Sequence, residues 1–145
     1  MSERSATVTR RSGQTYTTDI RIRSHELIAD EPAEKGGEDL GPTPVELLLA
    51  SLASCSAITL EMYAGRKGWP LEGVSVEITK EPDPDSPHKA DLLRQRITLL
   101  GPLDDDQRAR LLLIAGRCPV HRLIAEAPRM IEELANVEVS DDVAG

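Results

Sequence analysis

The chain contains no phenylalanine, and its only aromatics are Tyr16, Tyr63 and Trp69. So few rings cannot form the stacking platforms that grip single-stranded nucleic acids. Positive charge is also scarce: 17 basic residues face 25 acidic ones, for a formal net charge of -8. That balance opposes phosphate backbones and anionic membrane surfaces as partners. Cysteine is limited to Cys55 and Cys118, too few for the disulfide framework of a small secreted domain. In a reducing compartment a bridge between them would be catalytic or transient. The first residues, "MSERSATVTRRSGQTY", hold no apolar run and do not read as a secretory signal. The most apolar segment, 45–60, is interrupted by Glu46, Ser51, Ser54, Ser56 and Thr59. It is shorter than the ~20 residues that cross a bilayer. These absences point to a cytoplasmic protein with no nucleic-acid or membrane partner.

What remains is enough for one domain over residues 1–145, with 39% hydrophobic and 29% charged residues. Without phenylalanine, its core and any pocket lining must be largely aliphatic. Residues 6–22 alternate as strands around an "RSGQ" turn, and "HELIAD" (25–30) predicts a third strand. The Gly- and Pro-rich stretch 31–44 reads as a mobile loop.

A helix then starts at Thr43–Pro44. Thr43 is the N-cap, Pro44 takes the first helical position, and Glu46 completes a capping box. The helix should run to Gly65 or Gly68. Its sides are apolar nearly all round, which predicts a long buried central helix covered by a dimer partner. Strands over 73–81 and 91–101 form a second hairpin, and helices follow over 103–116 and 118–128. "ANVEV" (135–139) reads as a last strand. The predicted order is βββαββααβ, an α+β domain.

The two thiols differ in their surroundings. Cys55 lies about 12 residues into its helix, roughly 18 Å from the N-terminus, too far for the helix end to lower its pKa. Burial among Leu and Ile would raise it. Cys118, in "GRCPVHR", sits at a helix start beside Arg117 and Arg122, a setting that favours thiolate. His121 shares its face or is an exposed polar residue of the first turn. A zinc site is disfavoured, because no second ligand pair joins Cys118 and His121.

The segment "GGEDLGPTPVELLLASLASCSAITL", the "GVSVEI" strand and "RCPVH" together resemble the OsmC/Ohr family of osmotically inducible and organic-hydroperoxide-resistance proteins. The resemblance covers nearly the whole chain. It implies an OsmC-like fold in an intertwined homodimer with active sites at the subunit interface. It further implies a peroxidase that reduces organic hydroperoxides, with no bound cofactor. Cys55 would attack the peroxide, Cys118 would resolve it as a disulfide, and an external dithiol reductant, often lipoyl-type, would restore both.

Two further family residues transfer unevenly. The arginine of the first hairpin matches Arg11, whereas Arg10 would point to the opposite strand face. The family glutamate directly follows the helix-opening proline, where this chain has Val45. Glu46 is the candidate stand-in. At about 100° per residue, however, it lies near 180° around the helix from Cys55. That departure resembles a less-defined OsmC-like branch rather than the efficient peroxidases. It leaves an alternative open: a small-molecule binding module with an apolar dimer-interface pocket and no efficient peroxidase turnover.

Overall fold

The computed structural model describes residues 3–88 and 90–135. Three antiparallel strands come first: β1 (Thr7–Arg10), β2 (Thr18–Ile22) and β3 (His25–Ala29), in the order β1-β2-β3. The register pairs Val8 with Ile20 and Ile20 with Leu27. The connection between β1 and β2 is longer than a four-residue "RSGQ" turn. It spans 11–17 and is closed by the Arg11 N–H donating to the Thr17 carbonyl at 2.8 Å.

The stretch 31–44, expected to be mobile, is folded around a buried carboxylate. Asp30 accepts from the Thr17 hydroxyl at 2.8 Å, from the Glu31 N–H at 2.8 Å and from the Leu40 N–H at 3.3 Å. Its own N–H donates to the Pro42 carbonyl at 3.1 Å. A 3-10 turn over Ala33–Lys35 sits inside the loop. The packing is tight enough that a Cβ at Gly37 would collide with the Glu31 carbonyl, and one at Gly41 with the Ile28 carbonyl.

Helix α1 (Pro44–Lys67) starts as its sequence dictates, with a complete Thr43–Glu46 capping box and Pro44 in the first turn. It ends at Gly68, whose φ of 65° and lack of a Cβ suit the left-handed cap. The hairpin β4 (Gly73–Pro82) and β5 (Asp91–Leu100) follows, then α2 (Asp105–Ala115) and α3 (Pro119–Ala125). Asp104 and Gln107 form a second capping box on α2. The observed order is βββαββαα, and the expected strand over 135–139 falls on residues that, beyond Ala135, lie outside those described.

α1 packs against β4, α2 and α3. The core gathers Leu60 and Ala64 of α1 with Leu103, Leu111, Ile114 and Ala115, flanked by Val74, Ile97 and Leu99. The expectation of a helix buried all round is corrected for the single chain. Only the stripe Leu52, Ser56, Leu60 and Ala64 is buried, at four-residue spacing along one face. Val45, Leu48, Ile58 and Met62 are exposed. The length argument is corrected too. α1 has 24 residues and is by length and composition able to cross a bilayer, although in this fold it packs as a core helix.

Candidate active site

Helix α1 carries Cys55 next to the buried stripe, and α3 crosses it with Cys118 at the α3 N-cap. Pro119 takes the first helical position of α3, where a missing N–H is not needed. The Cys118 sulfur accepts the His121 N–H at 3.3 Å, in the position a Ser or Asp side chain usually fills. Cys118 is fully buried, whereas Cys55 is half-buried; both are free thiols.

Cys118 is near enough to Cys55 to act on its titration. Burial pushes the Cys55 thiol above its usual range, and the adjacent Cys118 thiol pushes it further. The Val120 N–H, second only to burial in its influence, and the Thr59 hydroxyl, one helical turn on, pull the other way. No cation is among the leading influences on Cys55. Arg122 turns along its own helix toward Glu126, at 3.9 Å.

Arg11 and Glu46 are not brought to the thiols within one chain. Arg11 forms a two-pronged pair with Asp19, one arm at 3.2 Å, with Asp30 and Glu38 as its further carboxylate neighbours. Glu46 accepts the Thr43 N–H at 2.9 Å, while the Thr43 hydroxyl accepts the Glu46 N–H at 3.2 Å. These bonds hold its carboxyl below the usual range. It lies about 13 Å along the axis from Cys55, nine residues at 1.5 Å each. As a companion to the thiol in the same chain, Glu46 is therefore replaced by its capping role.

Two residues at the site carry no sequence motif. Ser56, fully buried, donates its hydroxyl to Gln95 Oε1 at 2.8 Å and lies 3.8 Å from Cys118 Sγ. A signal for both was present. Ser56 interrupts the apolar stripe Leu52–Leu60–Ala64, and Gln95 interrupts the inward series Leu93–Ile97–Leu99 of β5. A cavity of about 230 Å³ opens beside them, lined by Leu52, Leu93, Gln95, His121, Ile124 and Ala125. A larger hollow of about 490 Å³ lies on the strands β1–β3 around Arg11 and Asp19, on a different part of the chain. Among the described residues, no three His, Cys, Asp or Glu side chains converge to hold a metal.

Cysteines on α1 and at the start of α3, with a cavity beside Gln95 and His121, are set in this α+β order. The family model for OsmC-like proteins matches residues 36–133, which include both cysteines. The chain belongs to the OsmC-like family. Its fold is shared with a candidate osmotic-stress-induced and detoxification-response protein from Psychrobacter arcticus. That protein is 26% identical with a TM-score of 0.68, over 84% of this chain and 88% of that one. An OsmC-like protein from Mycoplasma pneumoniae has a TM-score of 0.70 at 16% identity, over 87% and 89% of the two chains. An organic hydroperoxide resistance protein, OsmC, from Legionella pneumophila has a TM-score of 0.59 at 20% identity, over 86% and 90%. No curated protein matches the chain in sequence.

Proposed function

We propose that the protein is a thiol-dependent peroxidase that reduces organic hydroperoxides through a reversible Cys55–Cys118 disulfide. The observation that carries this reading is a partly buried thiol and a sealed one, from distant parts of the chain, brought near enough for Cys118 to act on Cys55. Accessibility supports Cys55 as the attacking residue, because a peroxide cannot touch the fully buried Cys118 without opening α3. The Cys55 thiolate attacks one peroxide oxygen, the O–O bond breaks, and the alcohol leaves with a proton. Cys55 is then a sulfenic acid beside a second thiol, the reversible branch of the oxidation ladder. Condensation with Cys118 releases water, and an external dithiol returns both sulfurs to thiols. The aliphatic walls of the neighbouring cavity suit an alkyl or aryl group better than water or hydrogen peroxide.

The exposed Val45, Leu48, Ile58 and Met62 of α1 support a homodimer, since a second copy would remove this apolar face from water. In such a dimer the Arg11 that approaches Cys55 comes from the partner's first hairpin, as the intertwined arrangement implies. The composition supports a cytoplasmic location.

A second reading has its own observation. Burial raises the Cys55 thiol with no cation among its leading influences, and Val45 stands where the family glutamate would be. On that reading the fold is a binding module for an apolar small molecule, and Cys55 is not a turnover catalyst. The deciding experiment treats reduced protein with one equivalent of cumene hydroperoxide, followed by intact mass and peptide mapping. Loss of two hydrogens with the Cys55 and Cys118 peptides linked supports the peroxidase. An unchanged mass supports the binding module.

A further inference from the structure

We infer that Ser56 and Gln95 are positioning residues that hold the buried Cys118 sulfur in line for attack on oxidised Cys55. The inference rests on the disulfide reading above and concerns its second step. A serine hydroxyl has one proton and two acceptor lone pairs. Ser56 directs that proton to Gln95 Oε1 at 2.8 Å, so toward Cys118 Sγ, 3.8 Å away, it presents a lone pair. The Cys118 S–H therefore donates to Ser56 Oγ, while the sulfur accepts the His121 N–H at 3.3 Å. The sulfur is gripped from α1 and α3 at once.

A helical serine ordinarily bonds back to its own helix, as Ser51 does to the Leu48 carbonyl at 2.8 Å. Ser56 instead reaches across to a strand 39 positions away. It does so with a partner that is itself polar at an inward position of β5. Two polar side chains set into two apolar series, and bonded to each other, form a built arrangement.

The pair also fits both states of the sulfur. When Cys118 gives up its proton, the Ser56 hydroxyl turns to donate to the thiolate. The Gln95 amide then turns its NH₂ group to the Ser56 oxygen. The Ser56 hydroxyl thereby keeps one bond given and one accepted before and after. In the step served, the Cys118 sulfur attacks the sulfenic sulfur of Cys55, the S–S bond forms and the S–O bond breaks. The hydroxyl leaves with the Cys118 proton as water, and no further oxidant is needed.

The test compares wild type, Ser56→Ala and Gln95→Glu. Each reduced protein receives one equivalent of cumene hydroperoxide, with acid quenching in time and intact mass as readout. Separately, the dithiol–disulfide equilibrium is measured in a glutathione redox buffer, which needs no peroxidase activity. In Ser56→Ala the sulfenic form should persist, with resolution slowed about five- to tenfold, the size of one lost hydrogen bond. The same variant should shift the equilibrium toward the disulfide, because only the dithiol loses a bond. Gln95→Glu keeps the shape and the hydroxyl but opposes a neighbouring thiolate, so its resolution should also slow. Unchanged resolution in both variants overturns the inference while leaving the disulfide reading intact. Slower resolution together with a less favoured disulfide overturns it as well, since that is the signature of a loosened α3. A wild-type protein that forms no bridge in either assay overturns the disulfide reading and the inference with it.

Discussion

The strands β1–β3 with the loop 31–44, and the remainder built on α1, are held together by opposite means. The first region buries a carboxylate, Asp30, with Thr17, and collects backbone N–H groups around it. Its apolar side chains Val8 and Leu27 stay exposed. The second buries Leu60, Leu111 and Ile114 in an aliphatic cluster and places one buried polar side chain, Ser56, beside Cys118. Among the described elements, no extensive packing joins strands β1–β3 to α1, β4, β5, α2 or α3. One region is thus ordered by hydrogen bonds around a charge, and the other by area removed from water. The proposed thiol chemistry would belong to the second, where the Cys118 sulfur is kept dry.

The largest effect expected from this contrast is on the chemistry. Cys55→Ser should abolish peroxide consumption, while Cys118→Ser should consume one equivalent and then pass to the sulfinic acid, read by mass. Neither should disturb β1–β3. Because Cys55 is held above the usual thiol range, neutral pH lies on the protonated side of its titration. Its rate of oxidation should therefore rise about tenfold per pH unit through the neutral range, following the thiolate fraction. A flat profile from pH 6 to 8, measured by stopped-flow with excess peroxide, would mean a cation reaches the sulfur, and a partner's Arg11 would be the first to replace.

Next in size is the bridge itself. Joining Cys55 to Cys118 closes a loop of about 64 residues, to which loop entropy assigns about 4 kcal/mol of stabilisation. Oxidised protein should melt well above reduced protein, and hydrogen exchange should slow in α1 and α3 and not in β2 or β3. Protection that spreads to the strands would break the contrast and show the two regions coupled, as a dimer partner would couple them.

The converse test acts on the strands. Asp30→Asn replaces an acceptor with an NH₂ group facing the N–H groups of Glu31 and Leu40, and should lower the melting temperature by about 5–10 °C. Its hydrogen bonds hold the Asp30 carboxyl below the usual range despite the opposing effect of burial. The unfolded chain therefore binds this proton at higher pH than the folded one. The stabilisation is complete above the usual carboxylate range and is lost as pH falls through the folded value. Wild type should lose stability on acidification by more than Asp30→Asn does, in urea titrations at neutral and acidic pH.

These contrasts also explain what could be read in advance. The start of α1 was legible because Thr43, Pro44 and Glu46 act locally, and Gly68 ends the helix for an equally local reason. Strands β4 and β5 were legible from their alternation. The thiols were legible only through family motifs, since local charge favours Cys118 while tertiary burial exposes Cys55. Asp30 is not legible, because a carboxylate beside a Gly- and Pro-rich stretch reads as a solvated loop. Nothing local shows that Thr17, thirteen residues earlier, and the backbone of 31–40 will close over it. Ser56 and Gln95 meet across 39 positions, a pairing visible only once β5 lies on α1.

The smallest expected effect concerns a residue at the junction of the two regions. Glu46 opens α1 immediately after the folded loop, and it lies on the far side of the helix from Cys55. If its work is the capping box, Glu46→Ala should lower the melting temperature by about 2–4 °C, as loss of a cap does. Its lowered carboxyl makes that contribution present above the usual glutamate range and absent once acid protonates the folded form. The two melting curves should accordingly converge at low pH. The rate of Cys55 oxidation should fall no further than the small loss of stability explains. A large drop in that rate with an unchanged melting temperature would instead place Glu46 beside a thiol, and only a second chain could supply that thiol, because nine helical residues separate Glu46 from its own.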